Sequence, residues 1–92
     1  MQILQTSSFK KTVKKLHNNQ KADLDKAIRN IINNPLIGVQ KSGDLSEVRV
    51  HKFKMVGEQI LLAYQFNDVE DVIFLLALGS HENFYRDIKN KP

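Results

Sequence analysis

No cysteine occurs anywhere in these 92 residues, which excludes disulfides, thiolate metal sites and cysteine nucleophiles together. Long apolar runs are missing as well. The longest, residues 60–64 and 72–78, fall far short of the roughly 18 residues that a membrane span needs. The start, MQILQTSSFKK, has no apolar segment behind a basic one, so no secretory signal is expected and the cytoplasm is the expected compartment. Metal-ligand spacing is absent: the histidines stand at 17, 51 and 81, with no i, i+4 pair, and neither a metal nor a cofactor is expected. No glycine-rich phosphate loop and no G-x-S-x-G elbow occur either.

What is present is enough for one domain over residues 1–92, since a second core would need roughly another hundred residues. A chain that is 41% hydrophobic and 26% charged is an ordinary globular one. Its charge is unevenly placed. Residues 1–33 carry seven Lys or Arg against two Asp, a net of +5, and residues 34–54 add +2. Residues 55–79 hold no Lys or Arg at all and sum to −4. The basic part attracts a polyanion, and phosphate backbones are the commonest one in a cell. Lys10, Lys11, Lys14 and Lys15 either make that contact or simply solvate the outer face of a helix; an acidic protein segment would exploit the same patch.

Residues 1–6 read as a short strand, with Ser7 or Ser8 as the N-cap of a helix carrying Phe9, Val13 and Leu16 on one stripe. The polar run His17-Asn18-Asn19-Gln20 is expected to break it. A second stripe follows (Leu24, Ala27, Ile28, Ile31, Ile32), with Asp23 and Asp25 in its first turn and Asn33-Asn34-Pro35 as its stop. Two helices with so short a link form an antiparallel hairpin. Beyond an irregular stretch at 36–45, the period changes to two. Residues 46–54 (SEVRVHKFK) place Val48, Val50, Lys52 and Lys54 on one side and Glu47, Arg49, His51 and Phe53 on the other. Turns at 55–58 and 67–71 separate two nearly all-apolar strands, 59–66 and 72–78, and residues 81–91 suit a short helix. The expected fold is α+β: an N-terminal strand, a two-helix antiparallel hairpin, a three-stranded antiparallel meander and a short C-terminal helix.

The chemistry-bearing residues are Arg49, His51, Lys52, Lys54, His81, Phe84, Tyr85 and Arg86. Arg49 and His51 share a strand face about 7 Å apart, where a guanidinium and an imidazole suit a phosphate, or form the polar side of a half-buried strand. His81 follows a buried strand and a Gly79-Ser80 turn, with Tyr85 one helical turn on. Phe84 and Tyr85 either close the core or stack on unpaired bases.

The order of elements, GDLSEVRVHKF leading into QILLAYQF, and VIFLLALGSHENFY at the end resemble the RelE/ParE superfamily of bacterial type II toxins, nearest to its RelE-like and YafQ-like members within a ParE-like branch. The resemblance covers the whole chain. It implies metal-independent cleavage of mRNA on the ribosome by a 2′-oxygen attacking the adjacent phosphate. Carried over, His81 matches the histidine after the last strand, Tyr85 the aromatic four residues later, and Arg49 and His51 the arginine-x-histidine of the first meander strand. Lys52 and Lys54 resemble the lysines that bind phosphate and move protons. His81 is then the acid, His51 or a lysine the base, and Phe84, Arg86 and the four lysines at 10–15 are RNA contacts. The resemblance further implies a cognate antitoxin with an acidic or amphipathic segment. Its alternative is the ParE activity, non-enzymatic inhibition of DNA gyrase. Where RelE-like members carry an arginine in the central strand, this chain reads Ile60-Leu61-Leu62-Ala63, and the nearest carboxylate is Glu58.

Overall fold

The computed structural model describes residues 1–41, 43 and 47–80. Within them run β1 (Gln2–Gln5), α1 (Ser7–Lys14), α2 (Asn18–Asn33), β2 (Val39–Gln40), β3 (Arg49–Met55), β4 (Glu58–Asn67) and β5 (Val72–Gly79). The sheet order is β1-β5-β4-β3-β2, with β1 parallel to β5 and the other neighbours antiparallel. The expected α+β meander is therefore present, and the two-residue β2 is an addition to it. The helix expected at 81–91 lies outside the described residues.

The unbroken apolar run in β4 has the reason anticipated for it. β4 is the middle strand, and Ile60, Leu61, Leu62, Ala63 and Tyr64 are all buried. Alternation sends Leu62 and Tyr64 to the main core with Phe9, Leu24, Ile31, Ile73 and Leu75, while Leu61 and Ala63 join Val48, Val50 and Ala77 in a second cluster. α1 lies on β5 and α2 on β3. The helix hairpin thus straddles the sheet, leaving a groove of about 410 Å³ lined by Phe9, Val13, Leu24 and Ile28.

Capping differs from the sequence reading at both helices. Thr6, not Ser7 or Ser8, caps α1: its hydroxyl accepts from the Phe9 N–H at 3.1 Å and donates to the Leu76 carbonyl at 2.8 Å. That carbonyl needs a donor because Leu76 is the extra residue of a bulge, Ala63 pairing with Ala77 and Tyr64 with Leu75. One hydroxyl therefore serves a helix end and a sheet irregularity, which no local pattern reveals. α2 begins at Asn18, so the polar run 18–20 is its first turn rather than a break. The His17 N–H donates to Gln20 Oε1 at 2.8 Å. Asp23 and Asp25 consequently sit past the first turn. Asp25 pairs with Arg29 at 2.7 Å, and Asp23 Oδ2 accepts from the Val56 N–H at 2.8 Å.

That last bond anchors the β3–β4 turn, whose two central residues, Val56 and Gly57, both have positive φ (50° and 79°). A tight hairpin of this kind suits asparagine followed by glycine, and a β-branched residue in the left-handed region is strained. Val56→Asn is expected to raise stability by about 1 kcal/mol in urea unfolding, since the side chain is exposed and its N–H to Asp23 is kept. Equal or lower stability in that variant would contradict the strain.

Candidate functional site

β3 carries four of the residues singled out in the sequence, and its alternation divides them. Arg49 and His51 pair across to Tyr64 and Leu62, on the face that bears the helices. Lys52 pairs with Leu61 and Lys54 with Gln59, on the opposite face. A single phosphate lying on one face of the sheet does not meet all four. Along the strand's outer edge, β2 pairs only with Arg49 and Val50. From His51 to Met55, no described strand lies on that side of β3.

His51 is half-buried and its ring stacks on Phe53, with centroids 6.1 Å apart and planes 11° from parallel. It has no hydrogen-bond or ion-pair partner among the described residues. Burial pushes its pKa below the ordinary 6.5, because a desolvated imidazolium is the costlier form. The imidazole is therefore neutral near pH 7. A neutral ring with an unengaged nitrogen accepts a proton, which is what a general base does.

Arg49 has a different occupation. Its Nη1 donates to the Gly38 carbonyl at 2.9 Å and reaches the Leu36 carbonyl at 3.4 Å. Beside it, the buried Tyr64 hydroxyl donates to the Pro35 carbonyl at 2.7 Å and accepts from the Gly38 N–H at 2.9 Å. Burial raises the Tyr64 pKa, against the opposing pull of the Gly38 hydrogen bond and the Arg49 charge, so the phenol stays protonated and keeps donating. Arg49 and Tyr64 together bind the chain that leaves α2 onto the sheet. The sequence reading singled out Arg49 but missed Tyr64 and Gly38. The signal available was a lone tyrosine in the fully apolar centre of β4, where a hydroxyl must find a partner.

A hollow of about 710 Å³ lies at the Arg49 end of the sheet rather than around His51. It is lined by Arg49, Glu47, Gln65, Asp68, Glu70 and Phe74 among others, so carboxylates outnumber its cation. Lys10, Lys11, Lys14 and Lys15 are exposed along α1, and none pairs with a described carboxylate. They remain available to a polyanion. His81, Phe84, Tyr85 and Arg86 lie outside the described residues; the strand that leads to them ends at Gly79, which pairs with Leu61, itself opposite Lys52.

No curated protein sequence matches this chain. Among solved structures, it is similar to the Escherichia coli RelE toxin in the free state, as a variant (TM-score 0.73, 20% identity, 96% of this chain and 90% of that one). It is likewise similar to a chain of the intact E. coli RelBE toxin–antitoxin complex (TM-score 0.71, 22% identity, 88% of this chain and 96% of that one). A conserved hypothetical protein of Helicobacter pylori matches at 28% identity and a TM-score of 0.61, over 88% of this chain and 94% of that one. At such identities the E. coli likenesses establish a shared RelE-like fold. Family membership comes from sequence: the description "ParE-like toxin of type II bacterial toxin-antitoxin system" matches residues 3–89. With the strand order, the straddling helices and nearly the full length in agreement, the chain belongs to the ParE-like toxin family of type II toxin–antitoxin systems.

Proposed function

We propose that this toxin arrests growth by cutting mRNA on the ribosome, without a metal, along the outer edge of β3. The observation that carries this reading is the setting of His51: half-buried, stacked on Phe53 and unpartnered among the described residues, with burial holding its pKa below the ordinary 6.5. In this reading His51 takes the proton from the ribose 2′-hydroxyl, and the 2′-oxygen attacks the adjacent phosphorus. Lys52 and Lys54 approach the phosphate from the other face of the same strand and stabilise the charge that grows on its oxygens. His81 protonates the departing 5′-oxygen, and Tyr85 orients a base. Arg49 serves by holding the chain after α2 in place, as its two carbonyl contacts suggest. Lys10, Lys11, Lys14, Lys15, Phe84 and Arg86 are contacts to RNA.

A second reading has one observation in its favour. β4 offers only buried apolar residues from Ile60 to Tyr64 and no cation to a phosphate, so the toxin instead inhibits DNA gyrase and needs no catalytic groups. Mapping mRNA ends after induction separates the two. Cuts at fixed positions within codons support the ribonuclease. Intact mRNA, together with purified toxin that blocks gyrase supercoiling in the absence of ribosomes, rejects it.

A further inference from the structure

Residues 30–40, NIINNPLIGVQ, contain no charged side chain, in a chain that is 26% charged. Of the other charge-free runs of comparable length, 59–67 and 72–80 lie in the interior strands β4 and β5, and 1–9 forms β1 and the start of α1, where Phe9 is buried in the core. This one is on the surface. Val39 is 63% exposed, Leu36 60% and Ile37 41%, and Ile32 stands exposed at the last turn of α2 just before them.

The segment is also held rigidly. Tyr64 grips Pro35 and Gly38, and Arg49 grips Gly38 from the other side. The Ile37 N–H donates to the Asn34 carbonyl at 2.9 Å, and the Lys41 N–H to the Val48 carbonyl at 2.9 Å. Gly38 passes so close to the Tyr64 ring that a Cβ there would lie 2.8 Å from Cε1. The apolar side chains are thus presented from an ordered backbone, and a partner that meets them has little ordering entropy to overcome.

Apolar side chains exposed on an edge strand invite aggregation unless something normally covers them. We propose that the 30–40 ledge is a docking surface for an uncharged, apolar stretch of the antitoxin, the partner with which a type II toxin is held inactive. The surrounding charge decides against other occupants. RNA gains its affinity from cations; none lies between Arg29 and Lys41 in the chain, and the adjacent Arg49 is engaged with the Leu36 and Gly38 carbonyls. A second copy would bring a second chain of net charge +4 against the first, basic α2 included. The proposal rests on family membership and on this surface, and not on the ribonuclease reading.

The test uses Leu36→Glu and Val39→Glu, singly and together, with the cognate antitoxin co-expressed and the affinity measured by calorimetry on purified chains. Both positions are exposed, so circular dichroism should show an unchanged fold. Should the double variant misfold, Leu36→Ser and Val39→Thr give the same reading. Antitoxin affinity is expected to fall at least about tenfold, since each glutamate must be desolvated against an apolar partner. Val69→Glu, in the β4–β5 turn, is expected to leave it unchanged. Affinity within about twofold of wild type overturns the proposal, as does a variant that loses only self-association or only ribosome binding. Loss of mRNA cutting plays no part in the readout, so failure of the ribonuclease reading leaves this result interpretable.

Discussion

His51→Ala is expected to slow mRNA cleavage on the ribosome by about 10²- to 10⁴-fold, the usual contribution of a positioned acid or base. The ring lies at a half-buried position against Phe53 and carries no hydrogen bond that a neighbour depends on among the described residues. Its removal therefore costs little stability, and the variant should show a native circular dichroism spectrum and still bind its antitoxin. His51→Gln, which keeps a polar planar group but no titrating nitrogen, should be as defective as alanine. The pH profile adds an independent readout. Burial disfavours the imidazolium, so the folded pKa lies below 6.5 and the base remains competent on the acid side of that value. The acidic limb of the rate profile should accordingly fall below pH 6.5, and vanish in His51→Gln. The same depression has a consequence for folding. The unfolded chain binds the proton more readily, so this residue's contribution to stability declines as the pH drops through 6.5 towards the folded value. His81→Ala should lose cleavage while staying folded. If His51→Ala, properly folded, cuts mRNA at a rate within a few-fold of wild type, the proposed base is wrong.

Tyr64→Phe is expected to lower stability by about 2–4 kcal/mol, although it deletes a single oxygen. The hydroxyl donates to the Pro35 carbonyl and accepts from the Gly38 N–H, and Tyr64 and Gly38 are both buried. Without it, the Gly38 N–H has lost its acceptor and the Pro35 carbonyl its donor, each costing about 1–3 kcal/mol when water does not replace it. For a domain of this size that corresponds to a fall in Tm of roughly 10 °C or more. Gly38→Ala should destabilise for a related reason, because its Cβ would meet the Tyr64 ring and hydroxyl at 2.8 Å and Arg49 Cβ at 3.1 Å. A Tm within about 2 °C of wild type for Tyr64→Phe would show that the loop 35–38 is held by something else. The two variants also probe the docking ledge. Loosening its backbone should weaken antitoxin binding even though Leu36, Ile37 and Val39 are untouched.

Much of this protein could be read from local pattern. Stripes at Phe9 and Val13 and at Leu24, Ala27, Ile28 and Ile31 fall on α1 and α2, with Leu16 just past the end of α1, and the uninterrupted apolar run from Ile60 to Tyr64 becomes the central strand. These signals survive because periodicity is a property of neighbours along the chain. The uneven charge, basic at both helices and acidic from residue 55 to 79, is likewise a matter of sequence alone.

Other features needed the tertiary structure. β3 has apolar residues on both sides, Val50 (with Val48 just before the strand) against Phe53 and Met55, so its pattern does not say which side meets the helices. The packing decides it, setting Arg49 and His51 beneath the helix-bearing face and Lys52 and Lys54 on the reverse. Thr6 displaced two serines as a cap because its hydroxyl is the one that also reaches the bulged Leu76 carbonyl, 70 positions away in the chain. Tyr64 and Gly38 became partners across 26 positions because β4 passes beneath the exit of α2. Alternation, helix stripes and charge are written within a few residues of one another. Which faces meet, and which buried polar groups satisfy each other, depends on distances between remote segments that exist only once the chain has closed on itself.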